Sequence, residues 1–192
     1  MNIVIFGPPG AGKGTQSNFI VEKYKLHQLS TGELLRKEIK NKTELGQQIV
    51  SIINSGNLVS DKVVSDLIEK HISDKNYKNR LIFDGYPRNL IQVKNLETLM
   101  IKYDQKIDFV LKLSVSLETI KKRISERKTL ENRADDKENV AVKRYEMYEK
   151  NIKPVIEFYK QSNLLTVVNG EKPISEINDE ISGLIEGLKG WL

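Results

Sequence analysis

The chain has 192 residues, 39% of them hydrophobic and 30% charged, a length and balance that predict one soluble domain with its own core. No apolar run approaches the ~20 residues that cross a bilayer, and the absence of cysteine excludes disulfides, cysteine nucleophiles and cysteine zinc sites. The net charge of +5 rests on lysines scattered among acids, as in RKEIKNKTE, with no aromatic-interleaved basic patch, so a solvated surface is expected rather than a nucleic-acid face.

The first apolar run, 2–6 (NIVIF), has no basic segment before it, so it reads as a buried strand and not as a signal peptide, and cytoplasmic residence is expected. It runs directly into GPPGAGKGT. Gly7 to Lys13 fits G-x-x-x-x-G-K, in which glycines let backbone N–H groups crowd around an anion and the lysine reaches the β- and γ-phosphates. A plain turn would need one glycine and no lysine, and a dinucleotide fingerprint would need glycine where Thr15 stands. The usual motif carries its hydroxyl directly after the lysine, whereas here Gly14 intervenes and Thr15 supplies it.

Helical periodicity then covers 13–24, followed by a weaker strand at 27–29 (HQL) and helices over 31–54, in two pieces, and 61–73. Strands follow at 81–83 (LIF), 109–113 (FVLKL) and 164–168 (LLTVV), separated by helices at 89–103, 116–126 and 137–161 and closed by one at 173–188. In the long helix Val140, Met147, Tyr148, Ile152, Val155, Ile156 and Tyr159 share a face, and Pro154 predicts a kink. Alternating strands and helices predict an α/β domain with a parallel sheet and right-handed crossovers. His27 and His71 lie far apart in sequence without metal-ligand spacing and read as structural or solvated.

GPPGAGKGTQ, LSTGELLR, LIFDGYPR, ENRADD and KRYEMY follow one another in the order and spacing of the nucleoside monophosphate kinases. The chain resembles the adenylate kinases with a short lid, over essentially its whole length. That resemblance implies a P-loop kinase fold across 1–192, with a five-stranded parallel sheet in the order 2-3-1-4-5 flanked by helices. It also implies an AMP-binding insert at 30–60 and a short lid at 127–136. Only KTLEN separates Arg127 from Arg133, which leaves no room for the zinc-bearing subdomain of longer lids. Glu131-Asn132 stands where the short-lid family has Ser-Gly, and Asn still permits a turn.

Of seven arginines in a chain that otherwise prefers lysine, Arg36, Arg88, Arg123, Arg127, Arg133 and Arg144 fall in these motifs, and Arg80 reads as structural. A planar fork suits phosphate. By resemblance, Arg36 and Arg88 grip the acceptor phosphate, Arg123 stacks over the donor adenine, and Arg127, Arg133 and Arg144 converge with Lys13 on the transferring group. Gly10, Ala11, Gly12, Lys13, Gly14, Thr15 and Lys172 complete the ATP side. Thr31, Gly32, Val59, Gly85 and Gln92 complete the AMP side, where Gln92 offers a donor and an acceptor to adenine. Asp84, at the carboxyl end of a strand, would hold Mg²⁺ through water rather than cap the helix that follows. Asp135 and Asp136 would orient the lid arginines or cap the helix from 137.

The implied reaction is ATP + AMP ⇌ 2 ADP with Mg²⁺, by a monomer that binds nucleotides but no nucleic acid or membrane. Thr31 and Gln92 stand where the pyrimidine kinases of this fold tend to carry Ala and Asn, which favours AMP over the alternative of a UMP/CMP kinase. The alternative from another class is a non-catalytic nucleotide-dependent binding protein. Six arginines along one phosphoryl path argue against it.

Overall fold

Ile3–Phe6 forms β1, and none of its side chains is more than 3% exposed. A strand buried on both faces needs apolar residues at every position, which accounts for its unbroken run. The computed structural model describes residues 1–131 and 138–189. After β1 come α1 (Lys13–Tyr24), β2 (His27–Ser30), α2 (Thr31–Lys40), α3 (Glu44–Asn54) and α4 (Asp61–Ile72). A 3-10 turn at Lys75–Tyr77 leads to β3 (Leu81–Asp84), α5 (Leu90–Lys102) and β4 (Phe109–Ser114). The chain closes with α6 (Leu117–Glu131), α7 (Glu138–Gln161), β5 (Leu165–Asn169) and α8 (Ile174–Lys189).

All strand pairs are parallel and the order is β2-β3-β1-β4-β5, as expected. At the centre Val4 lies opposite both Phe83 and Val110. Side chains alternate between faces. Val4, Phe6, Leu29, Phe83 and Val110 pack under α4, α5 and α7 through Ile68, Leu96, Val155 and Tyr159, and the same core takes in Leu35, Ile49 and Val59 from the 30–60 region. Ile3, Ile5, Ile82 and Leu111 face the other way, against Ile20 of α1 and Ile177, Ile181 and Ile185 of α8.

One boundary differs by several residues from the sequence reading. The helix expected to end at 126 runs on to Glu131, because RKTLE contains neither glycine nor proline and helical hydrogen bonding continues at little cost. Arg127 therefore sits on α6 rather than in a loop. Pro154 lies inside α7, which spans Glu138–Gln161 as one helix, in keeping with the expected 137–161. Of the expected face on α7, Val140, Ile152, Val155 and Tyr159 are buried and Met147, Tyr148 and Ile156 half-buried. The two histidines meet in space, with ring centroids 5.5 Å apart, and His27 stacks on Tyr77 at 3.7 Å. Burial holds both imidazoles below their ordinary pKa.

The helices α2 and α3 approach so closely that Gly46 has no room for a side chain. A Cβ there would stand 2.2 Å from the Glu38 carbonyl oxygen. The contact is to backbone, so relief requires the two helices to part. Gly46→Ala is expected to destabilise the fold by roughly 1–3 kcal/mol, at about 2–4 °C of Tm for each kcal/mol, readable by thermal denaturation.

Candidate active site

The carboxyl ends of β1, β2 and β3 open onto one cleft, where an open parallel sheet offers loops and helix starts to a ligand. Beyond β1 the chain turns through Gly10 and Gly12 at φ of 83° and 91°, a conformation that favours glycine. Ala11 N donates to Pro8 O at 3.1 Å, and α1 begins at Lys13 with no side chain capping its N-terminus. Uncapped N–H groups at a helix start form an anion site.

Lys13 folds back into this loop, donating from Nζ to the carbonyls of Gly7 at 2.8 Å and Pro8 at 3.0 Å. Burial is the main reason its pKa falls to about 8; the nearby charges of Arg88, Arg144 and Arg127 lower it further and Asp84 opposes them. This cation is held where solvation is poor and other cations are close. A bound phosphate would relieve both strains.

Around it the predicted residues gather. Thr31, at the start of α2, donates its hydroxyl to Gly85 O at 3.0 Å, and Arg88 donates from Nε to the same carbonyl at 2.6 Å. The Arg36 guanidinium lies against Gly32, and the stem of Arg144, on α7, packs against Gly56. Val59, buried, contributes an apolar wall, and Gln92 lines the same cleft. Gln92 accepts at Oε1 from Arg88 N at 2.7 Å and donates from Nε2 to Asp61 Oδ1 at 2.7 Å. On the other side of the loop, Arg123 donates to Ala11 O at 3.3 Å and Gly170 O at 2.9 Å, while Gly14 and Thr15 are exposed.

Asp84 ends β3 nearly buried, accepting from Gln28 Nε2 at 3.2 Å. It does not cap the following helix, because Asn89 does so, accepting from Gln92 N at 2.8 Å. A lone carboxylate beside a phosphate loop fits Mg²⁺, which keeps most of its water shell and takes phosphate oxygens. Among the described residues no three acidic, histidine or cysteine side chains converge into a cage.

Lys172 pairs with Glu180 of α8 at 2.8 Å. Arg80 donates twice to Lys25 O, at 3.0 and 2.6 Å, closing the end of α1 as a structural arginine would. Arg133, Asn132, Asp135 and Asp136 lie outside the described residues. Sequence reasoning missed Asp61, Gln28 and Asn89. Asp61 opens α4, where an acidic residue is ordinary helix chemistry, so no local signal distinguishes it.

The model of the adenylate kinase family matches residues 5–164. The chain is 39% identical to an adenylate kinase of Pelagibacter ubique, over 97% of this chain and 100% of that one. It is also 39% identical to an adenylate kinase of Porphyromonas gingivalis, over 97% and 96% of the two chains. A third, from Leifsonia xyli, is 40% identical over 93% and 90%.

With its pKa lowered to about 8, Lys13 is partly deprotonated in the ligand-free protein at mildly alkaline pH. A bound polyphosphate favours the ammonium and raises its pKa, so the proton uptake that Lys13 contributes to binding should be larger at pH 8 than at pH 6. Calorimetry of ATP binding in two buffers of different ionisation enthalpy measures this directly. Lys13→Met should abolish the uptake.

Proposed function

The chain belongs to the adenylate kinase family, and from that premise we propose how its own residues divide the work. The reaction is the reversible transfer of the terminal phosphoryl group of ATP to AMP, giving two ADP. The observation that carries the assignment of roles is the desolvated Lys13, folded into its loop with Asp84, Arg88, Arg144 and Arg127 acting on its charge.

In our reading ATP lies along Gly10, Ala11, Gly12, Gly14 and Thr15, whose N–H groups take its β-phosphate, while Lys13 swings from the Gly7 and Pro8 carbonyls to the β- and γ-phosphates. Arg123 holds the adenine side, anchored between the loop and Gly170. AMP occupies the cleft over Thr31, Gly32, Val59 and Gly85, with its phosphate on Arg36 and Arg88. An oxygen of that phosphate attacks the γ-phosphorus in line, and the bond from phosphorus to the β,γ-bridging oxygen breaks. No proton must be removed from the attacking phosphate, so the protein need only position and neutralise charge. Arg127, Arg133 and Arg144 meet the charge that spreads over the transferring oxygens. Asp84 would hold Mg²⁺ through water, and the charge of that ion would offset the repulsion between the two nucleotides' phosphates. Lys172, whose ammonium pairs with Glu180 at 2.8 Å, completes the ATP side in this reading.

We further propose a monomer acting in the cytoplasm on nucleotides alone. The exposed large apolar side chains of the described residues, such as Ile91, Leu117, Val167 and Ile174, are spread over four elements rather than gathered on one face. Among the described residues no helix is long and apolar enough to cross a membrane.

A coupled assay with ATP and each monophosphate tests the substrate. AMP should be turned over, UMP and CMP at most feebly, and equal activity with CMP would make the chain a pyrimidine kinase.

The lid arginines are separable from simple binding. Arg133→Lys keeps the charge and loses the fork, so kcat should fall by roughly 10²-fold or more while KM for ATP changes little. A loss confined to KM would make Arg133 a substrate clamp.

A further inference from the structure

A glutamine by itself is a poor judge of a purine. Its carboxamide carries an oxygen and an NH₂ group of nearly equal size, and a half-turn about the last side-chain bond exchanges acceptor for donor. One orientation suits a 6-aminopurine, which presents an N–H at position 6 and a lone pair at N1. The reverse suits a 6-oxopurine, which presents a lone pair at position 6 and an N–H at N1. A freely turning Gln92 would serve both.

Gln92 does not turn freely. Its Nε2 faces Asp61 Oδ1 at 2.7 Å, and its Oε1 faces the backbone N–H of Arg88 at 2.7 Å. A carboxylate only accepts and a backbone N–H only donates, so each end of the amide has one permitted identity. A flip would set carbonyl oxygen against carboxylate and NH₂ against N–H, two mismatches in a side chain only 2% exposed. Asp61 is itself held in place. Asn89 Nδ2 donates to the same oxygen at 3.0 Å, and Asn89 is fixed as the cap of α5. The amide still has one N–H and one oxygen lone pair for a base in the cleft that it lines.

We propose that Asp61 is the specificity-determining positioning residue of the monophosphate pocket: by fixing the Gln92 amide it makes the pocket accept a 6-aminopurine and reject a 6-oxopurine. Asp61 acts through Gln92 rather than by touching the base. This rests on the reading that AMP binds with its adenine at Gln92.

IMP is the discriminating probe, because it differs from AMP only at position 6 and N1. Wild-type protein should phosphorylate AMP and use IMP poorly; failure to use AMP would overturn the AMP reading itself, before any variant is compared. Asp61→Asn can accept from either amide orientation or donate to it, so it no longer enforces one. Its kcat/KM ratio of IMP to AMP should rise roughly 5- to 150-fold, with KM for ATP unchanged. Asp61→Ser, too short to hold the amide, gives the same reading should the first variant fold badly. In a Gln92→Ala background there is no amide to orient, and Asp61→Asn should leave the ratio alone. A merely structural Asp61 would lower both activities together. An unchanged ratio in folded Asp61→Asn or Asp61→Ser protein, with AMP still a substrate of the wild type, overturns the proposal.

Discussion

The cation at the end of β1 is the constraint around which this molecule is arranged. Lys13 is half-buried by the loop that carries it, donates to the Gly7 and Pro8 carbonyls, and stands near the charges of Arg88, Arg144 and Arg127 as well as that of Asp84. Asp84 offsets part of this crowding of positive charge, and a bound phosphate would offset more. The apolar sheet beneath makes such an arrangement tolerable. β1, closed on both faces by two cores, is a rigid support from which the loop cannot retreat.

Backbone carbonyls organise the rest of the site as much as charges do. Gly85 O receives both the Thr31 hydroxyl and Arg88 Nε, joining the start of α2 to the segment after β3. Ala11 O and Gly170 O receive Arg123, joining the phosphate loop to the turn after β5. Both guanidinium groups are thereby oriented by the backbone itself, which lowers the entropy a ligand contact would cost them. The 30–60 region is tied in through Leu35, Ile49 and Val59, which belong to the same core as the sheet. Its helices are packed backbone to backbone at Gly46.

Much of this was legible in the chain itself. Unbroken apolar runs marked β1 and β3 because those strands are buried on both faces, and the glycine-dense turn with its lysine marked the phosphate loop because few other arrangements need both. Element ends were less legible. RKTLE continues α6 to Glu131 for want of any breaker, whereas periodicity alone ends that helix at 126. Resemblance alone places Lys172 on the ATP side, and no local signal announces its ion pair with Glu180, eight positions on. His27 and His71, 44 positions apart in the chain, stack against one another because β2 and α4 are brought together by the core.

Periodicity, glycine placement and the choice of arginine over lysine are local properties, and they determined the fold class, the phosphate loop and the residues competent to bind phosphate. Tertiary structure decided what each of those residues is able to do. The pKa of Lys13 depends on burial and on charges from α6, α7 and the segment after β3, and the donor order of Gln92 depends on Asp61, 31 residues earlier in the chain. Both are properties of distance in a medium of low dielectric, where a few ångströms settle which protonation state or amide orientation is stable. No local pattern in a sequence encodes those distances.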